Sequence, residues 1–142
     1  MKLLVINGAN LNMLGIREPE KYGTASYQYL ENHIKAIAKS YNVDVEIYQS
    51  NYEGEIVEKI QSAYKKADGI IINAGAYAHT SVAILDALLA AGVPAAEVHL
   101  TDITKREEFR HFSYVSVYAE AGFIGEGFVS YKKAIEYFAK KS

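Results

Sequence analysis

Short apolar runs alternate with amphipathic stretches along this chain, and the alternation sets out its organisation. Leu3-Leu4-Val5-Ile6 is a continuous run of leucine and β-branched residues, as expected of a strand buried on both faces. A polar stretch from Asn7 to Gly23 follows, long for a connection in a compact α/β protein. Tyr27, Leu30, Ile34, Ile37, Ala38 and Tyr41 then recur at helical spacing, with Thr24 as the expected cap. Val43 to Tyr48 reads as a strand, and Gln49-Ser50-Asn51 as a turn. A helix is predicted from about Glu55 to Ala67, with Gly69 ending it.

Ile70-Ile71-Ile72 is the clearest strand of all, and it runs into Asn73 to His79. Thr80 or Ser81 is expected to cap a helix that reaches Ala91, where Gly92 and Pro94 break it before a strand from Ala95 to Leu100. One helical turn is expected within Thr104 to Arg110. A fifth strand is placed at Ala121 to Gly125, ahead of a last helix carrying Phe128, Tyr131, Ala134, Ile135 and Phe138. Five alternations of strand and helix imply a parallel sheet in a three-layer α/β sandwich with helices on both faces. The right-handed crossover rule leaves few topologies, and the flavodoxin-like strand order 2-1-3-4-5 is the one expected.

Composition narrows the class. At 142 residues the chain is sized for a single domain over 1–142, and half its residues are apolar with 23% charged, a globular balance. Fifteen Lys and Arg against seventeen Asp and Glu give −2, so no charge signal points to nucleic acid or an anionic membrane. With no cysteine there is no disulfide or thiolate metal site. The opening Met-Lys-Leu-Leu-Val-Ile is too short an apolar run for a secretory core, and a cytoplasmic protein is expected.

Polar residues collect where strands end. Asn7, Gly8 and Asn10 follow the first strand; Gln49, Ser50 and Asn51 the second; Asn73 and His79 the third; Glu97, His99 and Thr101 close the fourth. Ligands of open parallel sheets bind at the carboxyl ends of strands, so this one-sided clustering predicts a binding site. Glu97 and His99, two apart in a strand, share a face, where a carboxylate can fix the tautomer of an imidazole. Neither His79 nor His99 has metal-ligand spacing to another histidine, so no metal is expected. No other cofactor is expected either. In the long loop, Arg17 and Tyr22 lie five residues apart. A phenol with a pKa near ~10 is about one part in a thousand ionised at neutral pH, a deficit of roughly 4 kcal/mol, which a nearby guanidinium reduces. Arg17, with Arg110 as a second cation, can thus make Tyr22 a base on a loop that closes.

These residues resemble the type II 3-dehydroquinate dehydratases. The matching blocks are Asn7-Gly8, Asn10-Leu11, Leu14-Gly15, Arg17-Glu18-Pro19 and Tyr22-Gly23; Gln49-Ser50-Asn51 and Glu53-Gly54-Glu55; Asn73-Ala74-Gly75-Ala76-Tyr77 and His79-Thr80-Ser81; Glu97-Val98-His99-Leu100, Arg106 to His111, and Ser113-Tyr114. The resemblance implies dehydration of 3-dehydroquinate to 3-dehydroshikimate, in the shikimate pathway that leads to aromatic amino acids or in quinate breakdown. It implies Tyr22 as base, Arg17 as the group that lowers its pKa, His99 as the acid for the departing hydroxyl, and Asn10, through a water, at the enolate oxygen. It further implies that Asn73, Leu100 and Thr101 hold the substrate carboxylate while His79 and Arg110 hold ring hydroxyls. Asp86 would lie across a subunit contact in a trimer, four of which make a dodecamer. Ala9, Tyr52, Ala78, Leu85, Asp102, Thr104 and Val117 depart from residues common in the family.

Other readings are weaker. A flavodoxin-like cofactor-binding module would want a Ser/Thr-rich phosphate loop after the first strand, and a receiver-like domain an acidic cluster there. A scaffold without catalysis would not need the proposed catalytic residues. The lysines fall on helix surfaces, at the entry of the first strand or in charged loops, which disfavours Schiff-base chemistry.

Overall fold

The computed structural model, which describes residues 1–16, 20 and 25–141, is built on a five-stranded sheet ordered β2-β1-β3-β4-β5. The strands are β1 (Lys2–Asn7), β2 (Asp44–Gln49), β3 (Gly69–Asn73), β4 (Ala95–His99) and β5 (Ala121–Ile124), all pairing in parallel. This is the expected flavodoxin-like order. Successive side chains of the central strands serve opposite layers, which is why their sequences are apolar without interruption. Leu3, Val5 and Ile71 face α1 (Tyr27–Ser40) and the last helix, α5 (Val129–Lys141). Leu4, Ile6, Ile70 and Ile72 face α2 (Glu53–Ser62), α3 (Val82–Ala91) and the short α4 (Val115–Tyr118).

Local signals place most helix ends. Ser26, rather than Thr24, caps α1 by accepting from the Tyr29 amide at 3.1 Å; Thr24 itself lies outside the described residues. The helix closes on Asn42 in a left-handed conformation, with Val43 N–H reaching back to the Ala38 carbonyl at 2.8 Å. Ser81 caps α3 through the Ile84 amide, and Gly92 ends it at φ +67°. The second helix runs from Glu53 to Ser62 instead of Glu55 to Ala67. Ser50 accepts from the Tyr52 amide and starts it early, while Lys65 at φ 58° turns the chain down toward the sheet. Gly69 does not stop that helix. It opens β3 under Phe138, where a Cβ would sit 2.7 Å from the aromatic ring.

Short turns escape the periodicity argument. Leu11–Met13, Gly75–His79, Ile103–Lys105 and Glu108–Arg110 are 3₁₀ turns, too brief to show a repeat. The segment after β1 is anchored as well as polar, since Leu11 and Leu14 are buried in the core.

Ser81 is a buried cap, so Ser81→Ala is expected to lower stability by about 1 kcal/mol, read from urea unfolding at fixed protein concentration. No loss would mean that the Ile84 amide finds another partner.

Candidate active site

The order of the sheet reverses between β1 and β3, and the two connections leaving these strands diverge there. Their first residues are pressed together before they part. Gly8 N–H donates to the Asn73 carbonyl at 2.7 Å, and a Cβ on Gly8 would lie 2.3 Å from the Ala74 carbonyl oxygen. Gly75 adopts φ +63° directly against Ala9, whose carbonyl oxygen would be 2.7 Å from an added Cβ. Only glycine fits at either position.

Beyond this crossing lies a cleft. Seven of the residues proposed from sequence border it: Asn10, Asn73, His79, His99, Leu100, Thr101 and Arg110. Leu11, Met13, Leu14 and Ile103 add apolar walls, and Arg106 adds a second guanidinium that the sequence reading did not single out. Its place in the charged segment, four residues before Arg110, was the available signal. Glu97 stands behind His99. Asp86 is exposed on α3 and does not border the cleft. Arg17 and Tyr22 lie outside the described residues.

The histidine pair is well defined. His99 Nε2 and Glu97 Oε2 are 2.6 Å apart, and both side chains are only 6% exposed, which leaves little water to compete with the contact. The hydroxyl of buried Ser113 donates to the same carboxylate oxygen. His79 stacks on His99 with ring centroids 6.1 Å apart and planes 15° from parallel. Its Nδ1 donates to the Phe112 carbonyl at 2.8 Å, leaving Nε2 as the acceptor of the neutral ring. Burial holds the His79 pKa below its ordinary value, with His99 and Arg110 adding repulsion; the Phe112 carbonyl opposes the shift. Arg110 is tied by its Nε to Glu107 at 2.5 Å, which depresses the Glu107 carboxyl.

The second strand contributes scaffolding instead of a cleft wall. Gln49 donates to the Gly8 carbonyl at 3.2 Å and to the Asn51 side chain at 3.0 Å. Asn51 in turn accepts from the Asn10 amide at 2.9 Å, and its carbonyl accepts from the Tyr77 hydroxyl. Ser50 is paired with Glu55. Asn7 is fully buried among side-chain partners. The polar cluster read from the sequence thus divides into cleft residues and the splint that holds them. Departures from family usage fit locally: Asp102 caps the turn through the Thr104 amide at 3.0 Å and hydroxyl at 2.6 Å.

No group of three or more His, Asp or Glu side chains suited to a metal occurs among the described residues, and none of the described lysines borders the cleft. A doubly wound parallel fold with a carboxylate-backed imidazole and two guanidiniums at its carboxyl edge has the parts of an α/β enzyme site. Comparison with known proteins narrows it. The sequence model of the family described as dehydroquinase class II matches residues 1–139, and the chain belongs to this family.

Among similar proteins is "Catabolic 3-dehydroquinase 2" of Neosartorya fischeri, 51% identical over 98% of this chain and 93% of the relative. The "3-dehydroquinate dehydratase" of Haemophilus influenzae is 46% identical over 99% of this chain and 97% of its own. The crystal structure of type II dehydroquinase from Butyrivibrio crossotus superposes with a TM-score of 0.94 at 50% identity, over 96% of each chain.

Because folding favours the neutral His79 ring, its contribution to stability is present above pH 6.5 and falls as the pH drops through 6.5 toward the depressed value. NMR titration of histidine-labelled protein is expected to give a His79 midpoint below 6.5, with the neutral form protonated on Nδ1. A midpoint above 6.5 would contradict the burial argument.

Proposed function

We propose that this chain is a single catalytic domain that dehydrates 3-dehydroquinate to 3-dehydroshikimate by a type II, Schiff-base-free route. The observation that carries the reading is the buried Glu97–His99 pair bordering the cleft of a chain that the family model matches over residues 1–139. Relatives of both printed kinds, catabolic 3-dehydroquinase and 3-dehydroquinate dehydratase, support the substrate.

The substrate ketone acidifies the neighbouring C–H. In this reading Tyr22, activated by Arg17, removes that proton, and the electron pair moves into the enolate. Asn10, through a water, steadies the oxygen. His99 then protonates the leaving hydroxyl as the enolate collapses. With Nε2 engaged by Glu97, Nδ1 is the nitrogen that delivers the proton, and the carboxylate behind it stabilises the imidazolium. Asn73, Leu100 and Thr101 receive the substrate carboxylate, while neutral His79 and Arg110 hold hydroxyls. The placement of these residues around one cleft supports the assignment.

A homo-oligomer of trimers, forming a dodecamer in the cytoplasm, completes the proposal. Val82, Asp86 and Leu89 fall on one side of α3, where Val82 and Leu89 are 48% and 57% exposed. That outward apolar face supports packing against another copy, and the cytoplasmic placement rests on composition alone.

Mixing protein with 3-dehydroquinate is expected to produce the ultraviolet absorbance of a conjugated enone. Tyr22→Phe should fold and lose nearly all turnover, and His99→Ala should lower kcat more than it raises KM. No absorbance change from the parent protein would remove the assignment, and wild-type rates in Tyr22→Phe would remove the choice of base. Sedimentation equilibrium should report an assembly divisible by three; a monomer at micromolar concentration would eliminate the oligomer.

A further inference from the structure

The three strands nearest the fold's reversal end in register on a row of amides. Gln49 pairs with Asn7, and Asn7 pairs with Asn73. On the face covered by α1 and α5, two phenols meet this row: Tyr131, from a last helix remote in sequence, and Tyr27. Tyr131 is wholly buried, as is Asn7, and Asn73 is 3% exposed, so each hydrogen bond there is difficult to replace.

The polarity of this network is forced from one end. A backbone N–H can only donate, so the Asn73 atom facing Gly75 N at 3.2 Å is Oδ1. Its Nδ2 therefore faces the Tyr131 hydroxyl at 2.9 Å, which must accept. The single phenolic proton is then left to Asn7 Oδ1 at 2.6 Å, and Asn7 Nδ2 turns to the Tyr27 hydroxyl at 3.3 Å. Burial pushes the Tyr131 pKa well above that of a free phenol, so the proton stays in place at working pH. Turning the Asn73 amide over would set two N–H donors against each other at Gly75. One N–H of Asn73 is engaged by Tyr131, and Asn73 borders the cleft; an NH2 group carries a second donor.

We propose that Tyr131 is a positioning residue for substrate binding: the Gly75 N–H sets which way the Asn73 amide faces, and Tyr131, by accepting from Asn73 and donating to Asn7, holds that amide in place with a donor toward the substrate carboxylate. The proposal rests on the reading that Asn73 receives that carboxylate. Tyr131 touches no substrate. Its influence passes through one amide, and it ties the C-terminal helix to the cleft alongside Ser130, whose hydroxyl faces the His99 carbonyl at 3.5 Å.

Tyr131→Phe keeps the ring in the core and removes only the hydroxyl. In steady-state assays with 3-dehydroquinate, its KM is expected to rise about tenfold with kcat within about twofold. Competitive inhibition by 3-dehydroshikimate, which keeps the carboxylate, should weaken in parallel. Tyr27→Phe breaks the outer end of the same network and should leave KM within about twofold. An unchanged KM in folded Tyr131→Phe, or an equal rise in Tyr27→Phe, overturns the proposal. Asn73→Ala separates the two levels. A raised KM there with none in Tyr131→Phe sinks the positioning role alone, whereas no change in Asn73→Ala sinks the carboxylate assignment and the positioning role with it.

Neutron diffraction from the deuterated wild-type protein tests the polarity whether or not the variants fold. The phenolic deuteron is expected between Tyr131 and Asn7, and a deuteron on Asn73 directed toward the Tyr131 oxygen. The reverse arrangement rejects the proposal.

Discussion

The in-register pairing of β1 with β3 is the constraint on which the site depends. It sets Asn7 beside Asn73, brings Gly8 onto the Ala74 peptide and Gly75 onto Ala9, and sends the two following loops to opposite sides. A slip of one residue would exchange the faces of every side chain on β1. Val5 and Ile6 would then trade layers, and the amides would leave the buried phenols without partners. The apolar filling of both layers thereby fixes the position of the polar edge, although no apolar side chain takes part in the chemistry proposed for it.

Electrostatics at the edge follow from burial. Glu97 is placed by the strand period on the same face as His99, and burial strengthens their contact because little water reaches it. His79, stacked on the same ring, is held neutral by its own burial and by neighbouring positive charge. Two imidazoles side by side thus have different surroundings: one is backed by a carboxylate, the other by a backbone carbonyl. Such a division suits a site in which one ring delivers a proton and the other only grips a hydroxyl.

The apolar faces of α1 and α5 and the buried runs of β1 and β3 were legible because burial imposes periodicity, and periodicity is local. Caps at Ser81 and Gly92 were legible for the same reason: each acts within one turn of its own residue. The pairing of Glu97 with His99 needed only the two-residue repeat of a strand. Ser113 and Tyr131 were not legible as partners of polar groups, since they meet Glu97 and the two asparagines from sixteen residues away and from the far end of the chain. Arg106 resembled any charged residue in a charged segment until the fold turned it to the cleft.

Sequence alone therefore determined the layers, the strand order and the end of the sheet that carries polar chemistry, because hydrophobic spacing and the handedness of crossovers act over short stretches of chain. Which polar groups border the cleft and which serve as its splint was decided only in three dimensions. Asn7 and Asn73 are the same residue type at the same strand position, yet one is enclosed and the other borders the cleft. The difference comes from side chains delivered by distant elements, and no local pattern encodes where those elements arrive.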